Sequence, residues 1–253
     1  MSIYVESSGK GRDLFLIHGW GMHGGIWHGV AEALARNYRV HAVDLPGMGH
    51  SPPGTLDTLP QLAERLADLL TPQSTVCGWS LGGQAAMRLA LDHPEKVSRL
   101  VLVASTPRFV SGSDWQFGVD GAVFGEFADQ VMQDYQVTMG RFLALQAFGG
   151  KSSRELIREL RERFSMRPEP DRQALQRALQ MLLLTDLREE VERLRQPILL
   201  LHGDRDTLAP VGVAHWIAGR IPHARLRVIH GASHAPFLSH PAAFLHEMTD
   251  FLE

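Results

Sequence analysis

The chain has 253 residues, of which 44% are hydrophobic and 21% charged, with a formal net charge of −3. These values exclude disordered, collagenous and coiled-coil classes, and no run approaches the ~18 uncharged apolar residues that span a bilayer, so no membrane partner is expected. The charge balance and the absence of an aromatic platform beside the basic residues argue against nucleic acid as a partner, and the single Cys77 excludes an internal disulfide or a multi-cysteine metal cluster.

The N-terminal stretch MSIYVESSGKGRDL lacks a basic segment followed by an apolar one, so a reducing cytoplasm is the expected location. Six short apolar runs then read as strands: LFLIHG (14–19), RVHAVDLPG (39–47), STVCGWS (74–80), SRLVLVAS (98–105), PILLLHGD (197–204) and ARLRVIHG (224–231). Their nearly continuous hydrophobicity is that of strands covered on both faces, hence parallel and central. Helical patterns lie between them in AEALARN (31–37), QLAERLADLL (61–70) and GGQAAMRLALDH (82–93), the last stopped by Pro94, and PAAFLHEMTDFL (241–252) reads as a C-terminal helix. The alternation predicts a doubly wound, mostly parallel α/β sheet. It breaks at 108–195, where helical patterns and the proline-rich MRPEP (166–170) replace strands. The expected organisation is a core domain over 1–107 and 196–253, with 108–195 inserted as an all-helical lid over the strand ends, where ligands of such sheets bind.

Gly78-Trp79-Ser80-Leu81-Gly82 fits G-x-S-x-G where a strand passes into a helix. A serine hydroxyl is a poor nucleophile until a base takes its proton, and a sharp turn flanked by glycines projects it above the sheet. The base is expected after a later strand, with an acid between the two in chain order. Among 13 histidines, His234 in HGASHAPF is best placed; His230 reads as lying inside the last strand, and His240 begins the next element. After the strand PILLLHGD, Asp206 is the expected acid, two residues deeper into the loop than Asp204, which suits bonds to loop N–H groups. The backbone N–H groups of Leu81 and of Trp20, in His18-Gly19-Trp20-Gly21, are the candidate oxyanion donors. His18 reads as structural and Cys77 as a buried core thiol. Ser80, Asp206 and His234 together define acyl transfer, which needs no metal or organic cofactor; HExxH and P-loop spacings are absent. By these residues alone a general carboxylesterase, a lactonase or a carbon–carbon bond hydrolase fits equally, and a catalytically dead scaffold is the non-enzymatic rival.

These motifs make the chain similar to the α/β-hydrolases over nearly its whole length. More narrowly, LFLIHGWG (14–21), VDLPGMGHS (43–51), CGWSLGG (77–83), RFLALQ (141–146) and SHAPFLSHPAAF (233–244) resemble the pimeloyl-[acyl-carrier protein] methyl ester carboxylesterases of biotin synthesis. HGWG and GWSLGG specify only the superfamily; RFLALQ and HAPFLSHP carry the narrower likeness. The resemblance implies the catalytic set Ser80, Asp206 and His234. It also implies substrate contacts at Trp20, Ser80, Leu81, His234 and the segment Phe142, Leu143, Ala144, Leu145 and Gln146. Small-molecule esters with short chains are expected substrates as well, because the triad does not require the carrier. In KSSRELIRELRER (151–163), Arg154, Arg158 and Arg161 form a stripe flanked by glutamates, which by pattern is a solvated helix face with i, i+4 ion pairs. The resemblance makes Arg141, Arg154 and Arg158 a docking face for the acidic acyl-carrier protein bearing the pimeloyl methyl ester; Val137 stands where a further arginine is expected.

Overall fold

The computed structural model describes residues 2–55, 57–147 and 153–253. Seven strands form one sheet: β1 (Val5–Ser8), β2 (Arg12–Ile17), β3 (Tyr38–Val43), β4 (Ser74–Trp79), β5 (Val97–Val103), β6 (Ile198–Gly203) and β7 (Ala224–Ile229). Their order is β1-β3-β2-β4-β5-β6-β7, with every neighbouring pair parallel except β1 with β3. All six apolar runs form strands, though most stop short of the expected ends because the terminal residues turn into loops. β1 was not anticipated: VESS is polar and mostly exposed, as an antiparallel edge strand can be, so it carries no hydrophobic signature.

The sheet divides the core into two layers, because side chains alternate across a strand. Leu14, Leu16, Cys77, Val101, Val103, Leu199 and Leu201 face one layer. Phe15, Ile17, Val76, Leu100, Leu102, Ile198 and Leu200 face the other. The first layer is covered by α1 (His28–Leu34) and α10 (Pro241–Leu252) through Val30, Leu34, Phe244 and Met248. The second is covered by α2 (Leu59–Ala67), α3 (Leu81–Asp92) and α8 (Val211–Arg220) through Leu62, Leu66, Ala85, Leu89 and Ile217. Helix α2 starts on a capping box: Thr58 accepts from the Gln61 N–H while the Gln61 side chain accepts from the Thr58 N–H. A short α9 (Pro236–Ser239) precedes α10. No described helix is long and apolar enough to cross a membrane.

Between β5 and β6 run α4 (Gly121–Gln133), α5 (Tyr135–Gln146), α6 (Ser153–Phe164) and α7 (Arg172–Leu184). Asp120, Asp134 and Asp171 cap three of them by accepting from the N–H groups of Ala122, Val137 and Ala174. Lys151 and Ser152 of the arginine-rich stretch lie outside the described residues. The segment is not wholly helical: isolated bridges join Val110 to Val119 and Gly112 to Trp115. Gly118 makes the first closure possible, since a Cβ there would sit 2.4 Å from the Ser111 nitrogen.

Arg167, between α6 and α7, anchors this segment to the sheet. Its guanidinium donates to Asp44 at 2.5 Å and to Glu6, and lies 5.3 Å from the Tyr4 ring centroid. Asp44 also accepts from the N–H groups of Gly24 at 2.6 Å and His50 at 2.8 Å. Burial alone would raise the Asp44 carboxyl; the Arg167 guanidinium, the nearby His18 and the two N–H groups outweigh it and hold the group below the usual carboxylate range.

Candidate active site

β2 connects to β3 on one side and β4 lies on its other side, so a crevice opens between the carboxyl ends of β2 and β4. Trp20 follows β2 and Ser80 follows β4, so the topology places them on the two sides of this crevice. Ser80 has φ 55° and ψ −118°, a left-handed conformation that a non-glycine residue adopts only when its surroundings enforce it. The enforcing contacts are visible. A Cβ at Gly78 would lie 2.1 Å from the Gly82 carbonyl oxygen, and one at Gly82 would lie 2.4 Å from that of Ile17. The Ser80 N–H donates to the Val103 carbonyl at 3.0 Å, and the Ser105 hydroxyl donates to the Ser80 carbonyl at 2.8 Å. Ser105 was missed because a lone serine at a strand end carries no pattern. Leu81 begins α3, and the first N–H groups of a helix have no intrahelical acceptor.

Asp206 and His234 meet across loops after β6 and β7. The His234 Nδ1–H donates to Asp206 Oδ2 at 2.8 Å, in a setting where the His234 side chain is 2% exposed and that of Asp206 is fully buried. Asp206 Oδ1 accepts from the N–H groups of Leu208 at 2.9 Å and Ala209 at 3.0 Å, so the carboxylate is held in one orientation. With Nδ1–H given to Asp206, Nε2 is left as the basic nitrogen. The His234 loop is held at two further points. Its N–H donates to the Gln146 carbonyl at 3.2 Å, and its carbonyl accepts from the Trp79 indole N–H at 2.8 Å. Ser80 and His234 line the same cavity without a hydrogen bond between them, a separation common in ligand-free sites that tighten when substrate binds. Asp204 accepts instead from the Gly231 N–H at 2.7 Å and contacts the His230 ring at 3.1 Å. His230 lies beyond β7 with its side chain 86% exposed, not inside the strand as expected, because β7 ends at Ile229.

The cavity over Ser80 has about 610 Å³ of empty volume, part of it open to solvent, and its walls are apolar. Trp20 and Leu208 contribute from core loops, Val123, Phe124 and Phe127 from α4, Phe142 and Leu145 from α5, and Leu179 and Leu182 from α7. Trp20 meets Phe142 and Phe127 edge-on at centroid distances of 4.9 and 5.3 Å. Of the nine expected substrate contacts, Trp20, Ser80, Phe142, Leu145 and His234 line this space; Leu81, Leu143, Ala144 and Gln146 do not. A helix turns about 100° per residue, so Phe142 and Leu145, three apart, share the cavity face while the residues between them turn away. Leu143 packs with Ala147, Leu156 and Leu160, and Leu81 borders a separate small pocket below. Gln146 is buried and meets the site through its carbonyl; its side-chain amide has no hydrogen-bond partner among the described residues. The contributions of α4 and α7 were not foreseen, since leucine and phenylalanine at helical spacing read as ordinary core.

Arg141 on α5 and Arg154 and Arg158 on α6 are exposed, and none lines the cavity. Arg158 makes an exposed ion pair with Glu162 at 3.7 Å, of the kind that adds little stability. His18 is fully buried; its Nε2 accepts from the Leu45 N–H at 2.9 Å and its Nδ1–H donates to the Gly19 carbonyl at 2.7 Å. Burial pushes the rings of His18 and His202 down to about 4, so both stay neutral in the folded protein while they charge in the unfolded chain below its ordinary value of 6.5. Their contribution to stability is complete above pH 6.5 and is lost as pH falls towards 4, by roughly 3 kcal/mol per ring at most. Urea unfolding at about pH 7 and pH 4.5 should show that loss; a flat profile would mean that the rings are not held neutral.

A family model of the alpha/beta hydrolase fold matches residues 14–241. The chain belongs to the α/β-hydrolase family. Within this family, a protein of Nitrosomonas europaea named pimeloyl-[acyl-carrier protein] methyl ester esterase is 45% identical over 244 residues, covering 96% of this chain and 97% of that one. A protein of the same name from Aeromonas hydrophila subsp. hydrophila is 44% identical over 254 residues, covering 100% of both chains. Among solved structures, an esterase from Exiguobacterium antarcticum superposes with a TM-score of 0.91 at 22% identity, covering 99% of this chain and 95% of that one, which speaks to the fold.

Proposed function

We propose that this chain is a serine carboxylesterase that hydrolyses the methyl ester of pimeloyl-[acyl-carrier protein] in biotin synthesis. The carrying observation is the buried Asp206–His234 pair at 2.8 Å, at the wall of an apolar cavity that Ser80 enters from a left-handed turn. The names of the relatives at 44–45% identity supply the substrate. In the proposed reaction His234 Nε2 takes the Ser80 proton as the hydroxyl oxygen attacks the ester carbonyl. The N–H groups of Trp20 and Leu81 hold the tetrahedral oxyanion. His234 then returns the proton to the departing methanol, and water, deprotonated by the same ring, releases the acid from Ser80. Asp206 fixes the tautomer and stabilises the imidazolium. The pimeloyl chain lies against Phe142, Leu145 and the α4 and α7 residues, where apolar burial favours it.

In this reading the carrier docks outside the cavity, on Arg141, Arg154 and Arg158, and the site is cytoplasmic. The double replacement Arg154→Glu and Arg158→Glu should lower kcat/KM for the carrier-linked ester about tenfold more than for p-nitrophenyl butyrate, because reversed charges oppose an acidic partner. Equal losses on both substrates would assign these arginines to folding. The reading as a whole is tested by complementation of a biotin-requiring strain defective in this step, with Ser80→Ala as control. A chain that cleaves simple esters yet fails to restore growth would refute the substrate and leave the chemistry standing.

A further inference from the structure

The cavity carries information about charge as well as shape, and this inference rests on the esterase reading and narrows its substrate class. Ser80 and His234 are the lining residues whose polar groups face the space; the Trp20 indole N–H is committed to the Leu175 carbonyl at 2.9 Å. No lysine or arginine lines it among the described residues. The mouth is apolar as well, since Val123 and Leu145 remain 55% and 43% exposed while lining it. The fixed charge beside the site, on Asp206, is negative. We infer that the cavity selects esters whose acyl chain is electrically neutral along its whole enclosed length and rejects half-esters that end in a free carboxylate.

The physical ground is desolvation. An ionised carboxylate at the far end of the acyl chain would leave water for a wall of phenyl rings and leucines, with no lysine or arginine among the described lining residues to replace its hydration, and burial of the methylenes does not compensate. A methyl ester or thioester at the same position is neutral and loses far less. Charge recognition is thereby kept outside, on the exposed arginines of α5 and α6, and chain recognition inside.

Three small substrates test this: dimethyl pimelate, methyl heptanoate and monomethyl pimelate, which share a seven-carbon acyl chain and differ in the distal group. At about pH 8 the kcat/KM for monomethyl pimelate should be roughly 100-fold or more below that of the other two. The ratio of monomethyl to dimethyl ester should rise about fivefold or more between pH 8 and pH 6, as the protonated fraction of a carboxyl with an ordinary pKa near 4–5 grows. Any pH effect on the enzyme itself acts on both esters and cancels in that ratio. Cleavage of monomethyl pimelate within about threefold of dimethyl pimelate, or a ratio flat with pH, would overturn the inference while leaving the esterase reading intact. Failure to cleave any of the three would refute the esterase reading and this inference with it.

Discussion

Replacing His234 by alanine is expected to lower kcat for p-nitrophenyl butyrate by about 10⁴-fold or more with little change in KM, and Ser80→Ala should do the same. The double variant should be no worse than either single one, because nucleophile and base act as one unit. Asp206→Asn should fall nearly as far: the amide presents an N–H group or a weaker acceptor to Nδ1, and the tautomer that leaves Nε2 basic is no longer held. Residual activity should reflect the N–H groups of Trp20 and Leu81 and the cavity alone. The decisive control is a folded protein, shown by an unchanged thermal midpoint for Ser80→Ala, whose hydroxyl has no hydrogen bond among the described residues to lose. Turnover by His234→Ala within about tenfold of the parent would exclude this ring as the base.

The second large effect concerns stability. Arg167→Ala should cost about 3–5 kcal/mol, because it strips the partner from Asp44, whose side chain is fully buried while that of Arg167 is 6% exposed. The N–H groups of Gly24 and His50 soften the loss without removing it. A carboxylate held below its ordinary range stabilises the fold above the unfolded value of roughly 3.9 and loses that contribution as pH falls through the lower folded value. In Arg167→Ala the carboxyl loses its chief charge partner, so acid unfolding should begin at a higher pH than in the parent. Urea titrations of both proteins across the acid range measure both effects. A loss below about 1 kcal/mol would show that the pair only balances its own desolvation.

The parts legible from sequence were those with a period or a punctuated turn. Central strands such as LFLIHG and PILLLHGD show themselves because both faces are buried, and α10 was bounded correctly by its proline start and the chain end. Ser80 stood out because its turn tolerates so few neighbours, and His234 and Asp206 could be placed by their positions after strands. What stayed hidden depends on the third dimension. β1 is polar and gains its place only by pairing with β3. Arg167 lies 123 residues from Asp44 and looks like any surface arginine in a proline-rich break. The segment 142–146 was read as one contact strip, whereas helical rotation presents Phe142 and Leu145 to the cavity and sends Leu143 into the packing behind.

The two main-chain ties on His234, one to the last residue of α5 and one to the indole of Trp79, make the position of the ring a property shared by the helices between β5 and β6 and by the sheet. Among the described residues α4 and α7 carry no such tie to His234; α7 meets the site through side chains and through the Leu175 carbonyl, which accepts from the Trp20 indole N–H at 2.9 Å. Engineering a longer or wider acyl preference therefore has two very different entry points. Recarving α4 or α7 reshapes the walls and spares the main-chain ties of His234, whereas any insertion or kink near the end of α5 shifts that ring, so drift in chain-length taste is cheap on one wall of the cavity and ruinous on the other.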